Sequence, residues 1–447
     1  MLIAPATLFA SVPSGVRWEI GTPIVTYWAG PMPMTDAAAR QMAEGNWNLV
    51  WVTKQGLPAG GNLAAHYRTQ LDILQRHGLR GIVGLGLWDL NDREKKSQLD
   101  ATVDSLRTHP SLYAYSLKDE PNSSLFPDLA RIRAYLKEKD PRHLVYVNLY
   151  PLTASNKQLG ITGDQIPAYR EYLRQFIKIV RPELLSYDHY HFGVRGDGLK
   201  YFLNLALMRE AALEAGLPFM NIVQACSWTK NMRIPTGEEL RWLTYTSLAY
   251  GAQGISHYVY GYRGHDGAMM NLADGSPTSL YYAAREWNKE FVAIAKQLQP
   301  LPSLAVRHAG MVPEGATPLE ENAPFRLDPP LPTKDFPPRP AKLTDAEEAA
   351  LFAEGGSHHS RVEGFVIGCF GKDNSPTHAL VVNLDYRTYS GRGQPRQNEF
   401  LKPVVRAVVG PGQLEVFDAA TSKWSPAGTD RIELHLPPGG GKLFRVK

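Results

Sequence analysis

The sequence predicts an α/β fold, a (β/α)8 barrel followed by a C-terminal β-sandwich, and three observations carry that prediction. From about residue 22 to 298, short β-branched or aromatic runs alternate with longer segments of helical period, the pattern of repeated βα units and a parallel sheet. Beyond Pro300 the period changes from helical to alternating. The chain has 447 residues, and an α/β barrel absorbs about 250 alone, which leaves room for one further domain. The expected organisation is a lead-in over 1–21, the barrel over 22–299, and the β-sandwich over 300–447 with a Pro-rich excursion at 313–340.

Taken in order, the first strand is Ile-Val-Thr-Tyr-Trp at 24–28, and Thr35 is a natural N-cap for the helix after it. The second strand spans 48–52. Its helix, 63–77, carries Leu71 and Leu74 on one stripe and stops at Gly78, a residue suited to a left-handed cap. The third strand, 81–88, is glycine-rich, which permits close backbone approach in a crowded interior, and 92–108 covers it. The fourth strand runs through Tyr113-Ala114-Tyr115-Ser116-Leu117-Lys118 into Asp119-Glu120-Pro121-Asn122. Pro121 stops it, because proline has no N–H to give a ladder. Helix 125–139, strand 143–148 and helix 166–180 follow. The sixth strand, 184–192, ends in ionisable and aromatic residues. Helix 199–215 and strand 219–224 come next, and Thr236 with Glu239 forms a capping box for another helix. Strand 254–260 and helix 280–298 close the series. Strands are then expected at 364–370, 378–383, 404–409, 414–417, 431–436 and 442–446. The Pro-rich stretch 324–340 is expected to lack regular structure, and 343–353 to form a short helix.

Composition narrows the function. The balance of 48 basic against 44 acidic residues, with no Lys/Arg block, points to no nucleic-acid or anionic-membrane partner, and none is expected. Nine Trp and 21 Tyr supply flat aromatic faces suited to sugar rings. Cys226 and Cys369 lie far apart, so neither a disulfide framework nor a cysteine-rich metal site is expected. His189, His191 and His257 show no metal-ligand spacing, and no cofactor or metal is expected. The apolar opening lacks the basic flank of a signal peptide, and no later run is long enough to span a bilayer; a soluble protein, secreted or periplasmic with its leader trimmed, is the expectation.

Chemistry is expected at the strand tips, where an α/β barrel carries its site. Hydrolysis of a glycosidic bond needs an acid for the departing oxygen and a second group for the oxocarbenium-like centre. Glu120 is the candidate acid, its pKa raised by the adjacent Asp119 and the apolar wall. The plainer reading is a surface turn, or two carboxylates on opposite faces of a strand. Asp188 is the partner candidate, as nucleophile, base or sugar ligand; its plainer reading is a buried, satisfied acid. Tyr27, Trp28, Trp88, Asn148, Tyr190, His191, Gln224, Trp228, Tyr258 and Tyr260 fall at or near strand ends and are expected as a set to line a sugar subsite, although any one of these aromatics taken alone reads more readily as core.

Asp119-Glu120-Pro121-Asn122, at the end of the fourth strand, resembles the Asn-Glu-Pro signature of clan A glycoside hydrolases, whose glutamate is the general acid/base. The resemblance implies that role for Glu120 and covers the arrangement of residues 22–298. A β-sandwich after the barrel is common in such enzymes, and residues 436–444 resemble their closing strand. Two positions depart. The clan's nucleophile ends the seventh strand, where this chain has Gln224, an amide; Glu238 and Glu239 lie further on, and the capping box accounts for Glu239. Asp119 replaces the signature asparagine. The vicinal Asp119-Glu120 pair is similar to family 20 hexosaminidases, in which the aspartate orients the substrate's acetamido group, and Ser186-Tyr187-Asp188-His189-Tyr190 resembles an element of family 18 chitinases. The expectation is therefore a carbohydrate-cleaving hydrolase. The alternatives are a substrate-assisted N-acetylhexosaminidase, a carbohydrate-binding barrel without turnover, and a lyase using Asp188 and His191, against which the lack of a basic cluster for uronates argues.

Overall fold

The computed structural model describes residues 23–30, 34–194, 196–335, 363–386, 402–408 and 412–447. The first part alternates strand and helix: β1 (Ile24–Tyr27), α1 (Asp36–Glu44), β2 (Leu49–Val52), α2 (Leu63–Arg76), β3 (Arg80–Gly84), α3 (Arg93–Leu106), β4 (Leu112–Asp119), α4 (Phe126–Lys139), β5 (Leu144–Asn148), α5 (Asn156–Leu159), α6 (Gln165–Val180), β6 (Leu185–His189), α7 (Tyr201–Ala215), β7 (Phe219–Gln224), α8 (Gly237–Ala249), β8 (Gly254–Tyr258) and α9 (Ser279–Leu298). The strands form two four-stranded parallel sheets, ordered β1-β8-β7-β6 and β2-β3-β4-β5. At one seam the Asn48 N–H donates to the Val25 carbonyl at 3.1 Å, and at the other the Leu149 N–H donates to that of Ser186 at 2.8 Å. Ile24, Leu49, Ile82, Ala114, Leu144, Leu184 and Met220 meet with Tyr146 in one cluster drawn from both sheets. The larger apolar cluster lies beneath the helices.

Local signals explain the element ends. The Thr35 hydroxyl accepts the Ala38 N–H at 3.2 Å, and Thr236 and Glu239 exchange both capping-box bonds. Gly78 takes φ +69° just past the end of α2. The third strand is shorter than its sequence suggests. It ends at Gly84, because Gly86 turns at φ +75° and the Leu85 and Gly86 N–H groups converge on one acceptor, the Ser116 carbonyl. The sixth and eighth strands likewise stop at His189 and Tyr258.

The C-terminal part holds β9 (Ser303–Val312), β10 (Phe325–Leu327), β11 (Lys334–Asp335), β12 (Gly364–Lys372), β13 (Ser375–Asn383), β14 (Val404–Ala407), β15 (Leu414–Asp418), β16 (Lys423–Gly428), β17 (Arg431–Glu433) and β18 (Gly441–Val446). A seven-stranded sheet, β11-β9-β12-β13-β18-β15-β16, is antiparallel apart from its β11–β9 pair. A three-stranded sheet, β10-β14-β17, shares an apolar core with it through Phe325, Val405 and Ile432 against Ile367, Val381 and Phe444. The stretch expected to lack regular structure therefore contributes β10 and β11. Its prolines at 324, 329 and 330 flank residues 325–327 and leave their N–H groups free to pair. The helix expected at 343–353 lies outside the described residues.

The two parts are packed together along α7 and α8. Arg241 donates to the Pro438 carbonyl at 2.8 Å, Arg209 donates to the Ser303 hydroxyl and carbonyl at 2.9 and 2.6 Å, and the Tyr250 hydroxyl meets His308 Nε2 at 2.9 Å. Gly368 of β12 lies so close to the Ala249 carbonyl that a Cβ there would overlap it. Among the described residues no helix is long and apolar enough to cross a membrane. Gly368→Ala is accordingly expected to destabilise by about 1–3 kcal/mol, through overpacking against backbone that has no rotamer to yield; an unchanged midpoint in chemical denaturation would refute this close contact.

Candidate active site

Two backbone irregularities at the tip of β4 build the site. Ser116 pairs with Tyr146 of β5, but the next pairs are Lys118 with Val147 and Asp119 with Asn148, so Leu117 is an extra, bulged residue. Ala114 and Tyr146 both face the shared interior, and strict alternation from Ala114 would bring Lys118 there. The bulge shifts the parity and presents Asp119 beside Asn148 instead. Glu120 then takes φ +45°, a left-handed conformation uncommon outside glycine, while its N–H stays paired with the Asn148 carbonyl at 2.9 Å. With this reversal the Glu120 side chain lies close enough to Asp119, and to Asp188 at the tip of β6, for both to act on its pKa. The motif's last two residues are anchored as well. The Tyr172 hydroxyl donates to the Pro121 carbonyl at 2.8 Å, and the Asn122 amide donates to the carbonyls of Lys157 and Gln158.

Asn148 is the hub. Its Nδ2 donates to Asp119 Oδ1 at 3.0 Å and to Asp188 Oδ1 at 2.9 Å. The Ser186 hydroxyl donates to Asn148 Oδ1 at 3.1 Å, and the Tyr146 hydroxyl lies 2.9 Å from Ser186 Oγ. With Ser186 donating to Asn148, Tyr146 must donate to Ser186. The chain of donors thus runs one way, from the tyrosine to the two carboxylates, and fixes which end of the amide faces them.

Three carboxyls in so small a volume resist ionising together. Partial burial, then the charge of Asp119, raises Glu120 from 4.5 to about 7, against a smaller opposing effect of the Asp188 hydrogen bond and Lys118. Asp188 is buried at 4% exposure, and burial followed by the Glu120 charge pushes it well above the usual carboxylate range. Asp119 opens to solvent. The surrounding walls nevertheless displace enough water to raise it as well, against the Asn148 hydrogen bond.

An aromatic collar surrounds these acids. Trp28 meets Trp51 edge-on at 4.7 Å, and Trp51 meets Tyr146 at 5.8 Å. Across the mouth Tyr190, Trp228 and Tyr258 contact one another at 4.7–5.1 Å, and His265 joins them, its Nε2 3.1 Å from the Tyr258 hydroxyl. Trp28, Ala29, Trp51, Gln55, Tyr258 and Tyr262 line a cleft of about 290 Å3 without a charged side chain.

Of the residues expected to line a subsite, the structure brings Trp28, Asn148, Tyr190, Trp228 and Tyr258 together around the acids. Trp88 lies in the loop after β3, its Nε1 donating to the Leu85 carbonyl at 3.0 Å. Four others are placed in the packed interior instead. Tyr27 and Tyr260 pack on each other at 5.1 Å, with 1% and 0% exposure; Tyr27 falls on the face of β1 that joins the larger apolar cluster, and Tyr260, past the end of β8, is turned onto α1, where its hydroxyl donates to Gln41 at 2.6 Å. His191 stacks on Trp242 at 4.9 Å, and burial lowers it to about 4. Gln224 is fully buried, its amide bonded to backbone groups of Phe192 and Arg233. Glu239 pairs with Arg233 at 2.6 Å, in keeping with its structural reading. Among the described residues no group of three His, Cys, Asp or Glu side chains is arranged to hold a metal ion. Sequence reasoning missed Trp51, Tyr146 and Ser186. Trp51 sits two residues after Leu49 and Tyr146 two after Leu144, so inward alternation was the signal that could have found both.

No protein-family model matches the chain, and no curated protein sequence matches it. Solved structures do. One is described as a glycoside hydrolase; it is 11% identical, has a TM-score of 0.53, and the match covers 96% of each chain. Another, a glycoside hydrolase family 5 protein from Bacteroides vulgatus, is 8% identical with a TM-score of 0.54, over 95% of this chain and 89% of that one. The likeness is one of fold. It extends over both the parallel and the antiparallel parts.

The crowding of acids has a thermodynamic consequence. A carboxyl whose folded pKa lies above its unfolded value holds its proton more tightly in the folded state, so stability falls as pH rises from the unfolded value toward the folded one. For Glu120 that window runs from 4.5 to about 7. Glu120→Gln is therefore expected to raise Tm more at pH 8 than at pH 4, and equal gains at both, read by thermal melts, would contradict the raised pKa.

Proposed function

We propose that this chain is a glycoside hydrolase cleaving O-glycosidic bonds of an oligo- or polysaccharide, with Glu120 as general acid/base. In this reading the two parallel sheets are halves of a closed (β/α)8 barrel over residues 22–299, which the seam hydrogen bonds and shared interior cluster support, and residues 300–447 form a β-sandwich docked on it. The observation that carries the function is a carboxyl raised to about 7 at a strand tip, beside an open Asp119 and close enough to Tyr258, which lines an aromatic cleft, to act on its pKa. An acid with that pKa is still substantially protonated near neutrality and can pass its proton to the leaving oxygen. Similarity to two structures described as glycoside hydrolases is consistent with this.

The second group follows from geometry. Asp188 is buried at 4% exposure and held by the Asn148 amide at 2.9 Å, and the Glu120 charge acts on its pKa; in this reading its role is to position and tune Glu120. Gln224 is locked to backbone. Asp119 remains. These facts favour the substrate-assisted reading, in which Asp119 orients a 2-acetamido group. The acetamido oxygen attacks the anomeric carbon as the bond to the leaving oxygen breaks, and that oxygen takes the Glu120 proton. Water then opens the cyclic intermediate with Glu120 as base.

A panel of aryl glycosides that includes N-acetylhexosaminides tests the proposal. Glu120→Gln should lower kcat by about 10²–10⁴-fold, and wild-type kcat/KM should fall above pH about 7 as Glu120 loses its proton. Absence of turnover on every member, with sugar binding retained, would make the chain a binding module, and an unsaturated, ultraviolet-absorbing product would make it a lyase. A thiazoline analogue of the cyclic intermediate should bind far more tightly than substrate; indifference to it would remove the substrate-assisted version alone.

A further inference from the structure

We propose that Tyr386, a residue of the C-terminal part, is a positioning residue for the aromatic wall of the barrel's mouth. The connection begins at Gln224. Its Oε1 accepts the Phe192 N–H at 2.8 Å, and its Nε2 donates to the carbonyls of Phe192 at 3.0 Å and Arg233 at 2.8 Å. The Arg233 N–H returns to the Phe192 carbonyl at 3.3 Å, and the Arg233 guanidinium lies 4.6 Å above the Phe192 ring. The segment after β6 and the segment after β7 are thereby tied to each other. A further bond, from the Val194 N–H to the Asn231 carbonyl at 2.9 Å, extends the tie.

What holds Arg233 comes from further out. Its guanidinium makes a two-point pair with Glu239, at 2.6 and 2.7 Å, and donates to Asp197 Oδ1 at 3.0 Å. The Tyr386 hydroxyl donates to Asp197 Oδ2 at 2.5 Å, and its ring packs on Phe192 at 5.7 Å and Trp242 at 5.1 Å. Asp197, Glu239 and Tyr386 are 7%, 3% and 2% exposed, so water competes little for these bonds and their geometry is stiff. Tyr386 follows closely on β13, across the interface from the two segments it holds.

Those two segments carry the wall. Tyr190 precedes Phe192 by two residues, Trp228 follows Gln224 by four, and the two rings meet at 4.7 Å. Glu120, Asn148 and Asp119 stand instead at the ends of β4 and β5, with their own anchoring. Loss of the Tyr386 hydroxyl should therefore loosen the wall and leave the acids in place. A flat ring surface weakened in this way costs substrate binding more than chemistry.

The test uses the full chain with Tyr386→Phe, which keeps the ring packing and removes one hydrogen bond. Ser303→Ala, which removes an interface bond to Arg209 remote from the mouth, is the control. Hydrogen exchange should accelerate in residues 191–194 and 227–236 for Tyr386→Phe and not for the control. KM should rise about three- to tenfold, the scale of one lost hydrogen bond, with kcat within about twofold. Arg233→Lys, which keeps the charge and loses the two-point bond, should accelerate exchange in the same two segments. Unchanged exchange in either segment, acceleration confined to the C-terminal part, or a fall in kcat at constant KM would each overturn the proposal. The KM arm rests on the glycosidase reading. Should no glycoside be turned over, the exchange arm still decides the mechanical claim while the functional reading fails separately.

Discussion

The Asn148 side chain is the constraint on which the site depends. A neutral amide offers two N–H donors and no negative charge, so it can sit between Asp119 and Asp188 without adding to their repulsion. Its orientation is imposed from below by Ser186 and Tyr146, through a one-way chain of hydrogen bonds set in the interior cluster. Anchored there, the amide holds two carboxyls, Asp119 and Asp188, whose charges both act on or are acted on by Glu120. An aspartate in its place would bring a further negative charge, and an alkyl side chain would leave buried acceptors without donors. The raised Glu120 pKa follows first from burial and then from the charge of the Asp119 that this amide anchors.

The backbone pays for this arrangement in regularity. The bulge at Leu117 and the left-handed Glu120 fall within four residues of each other, at the point where β4 leaves the sheet. Either departure in isolation would misplace one acid. Together they turn Asp119 and Glu120 toward the same space, which successive residues of a regular strand do not share. Irregularity concentrated where carboxyls converge is the pattern expected when surrounding structure overdetermines a costly conformation. Glu120 is held in just that way, by its N–H bond to Asn148 behind and the Tyr172 bond to Pro121 ahead.

The C-terminal part belongs to the same mechanical unit. Its β12 and β13 lie against α8, close enough at Gly368 to exclude even a methyl group. The position that ends β7 has become a structural link: Gln224 joins two backbone segments, and Arg233, Asp197 and Tyr386 continue that link into the antiparallel sheets. The Tyr190 and Trp228 rings thus stand a few residues along the chain from segments tied to ion pairs at the boundary between the two parts. Such contacts are directional, which suits them to holding a surface in place more than to adding stability.

Periodicity along the chain was enough to find the alternating strands and helices, the caps at Thr35 and Thr236, and the change to antiparallel strands after residue 300, because each rests on neighbours within a few residues. It also located Asp119 and Glu120 at the end of β4 and Asn148 at the end of β5. Other features were out of its reach. Residues 325–327 form a strand because β14 lies alongside, a partner some eighty positions away. Tyr27, Tyr260, His191 and Gln224 sit near strand ends as the mouth residues do, yet the face each side chain takes depends on register and on what packs against it. The convergence of Asp119, Glu120 and Asp188 is decided by a bulge, one positive φ and a hydrogen-bonded amide drawn from three strands. Sequence determined which chemistry was available at the strand ends; only tertiary structure decided which groups meet, because contact between distant strands is set by register and packing and by no local pattern.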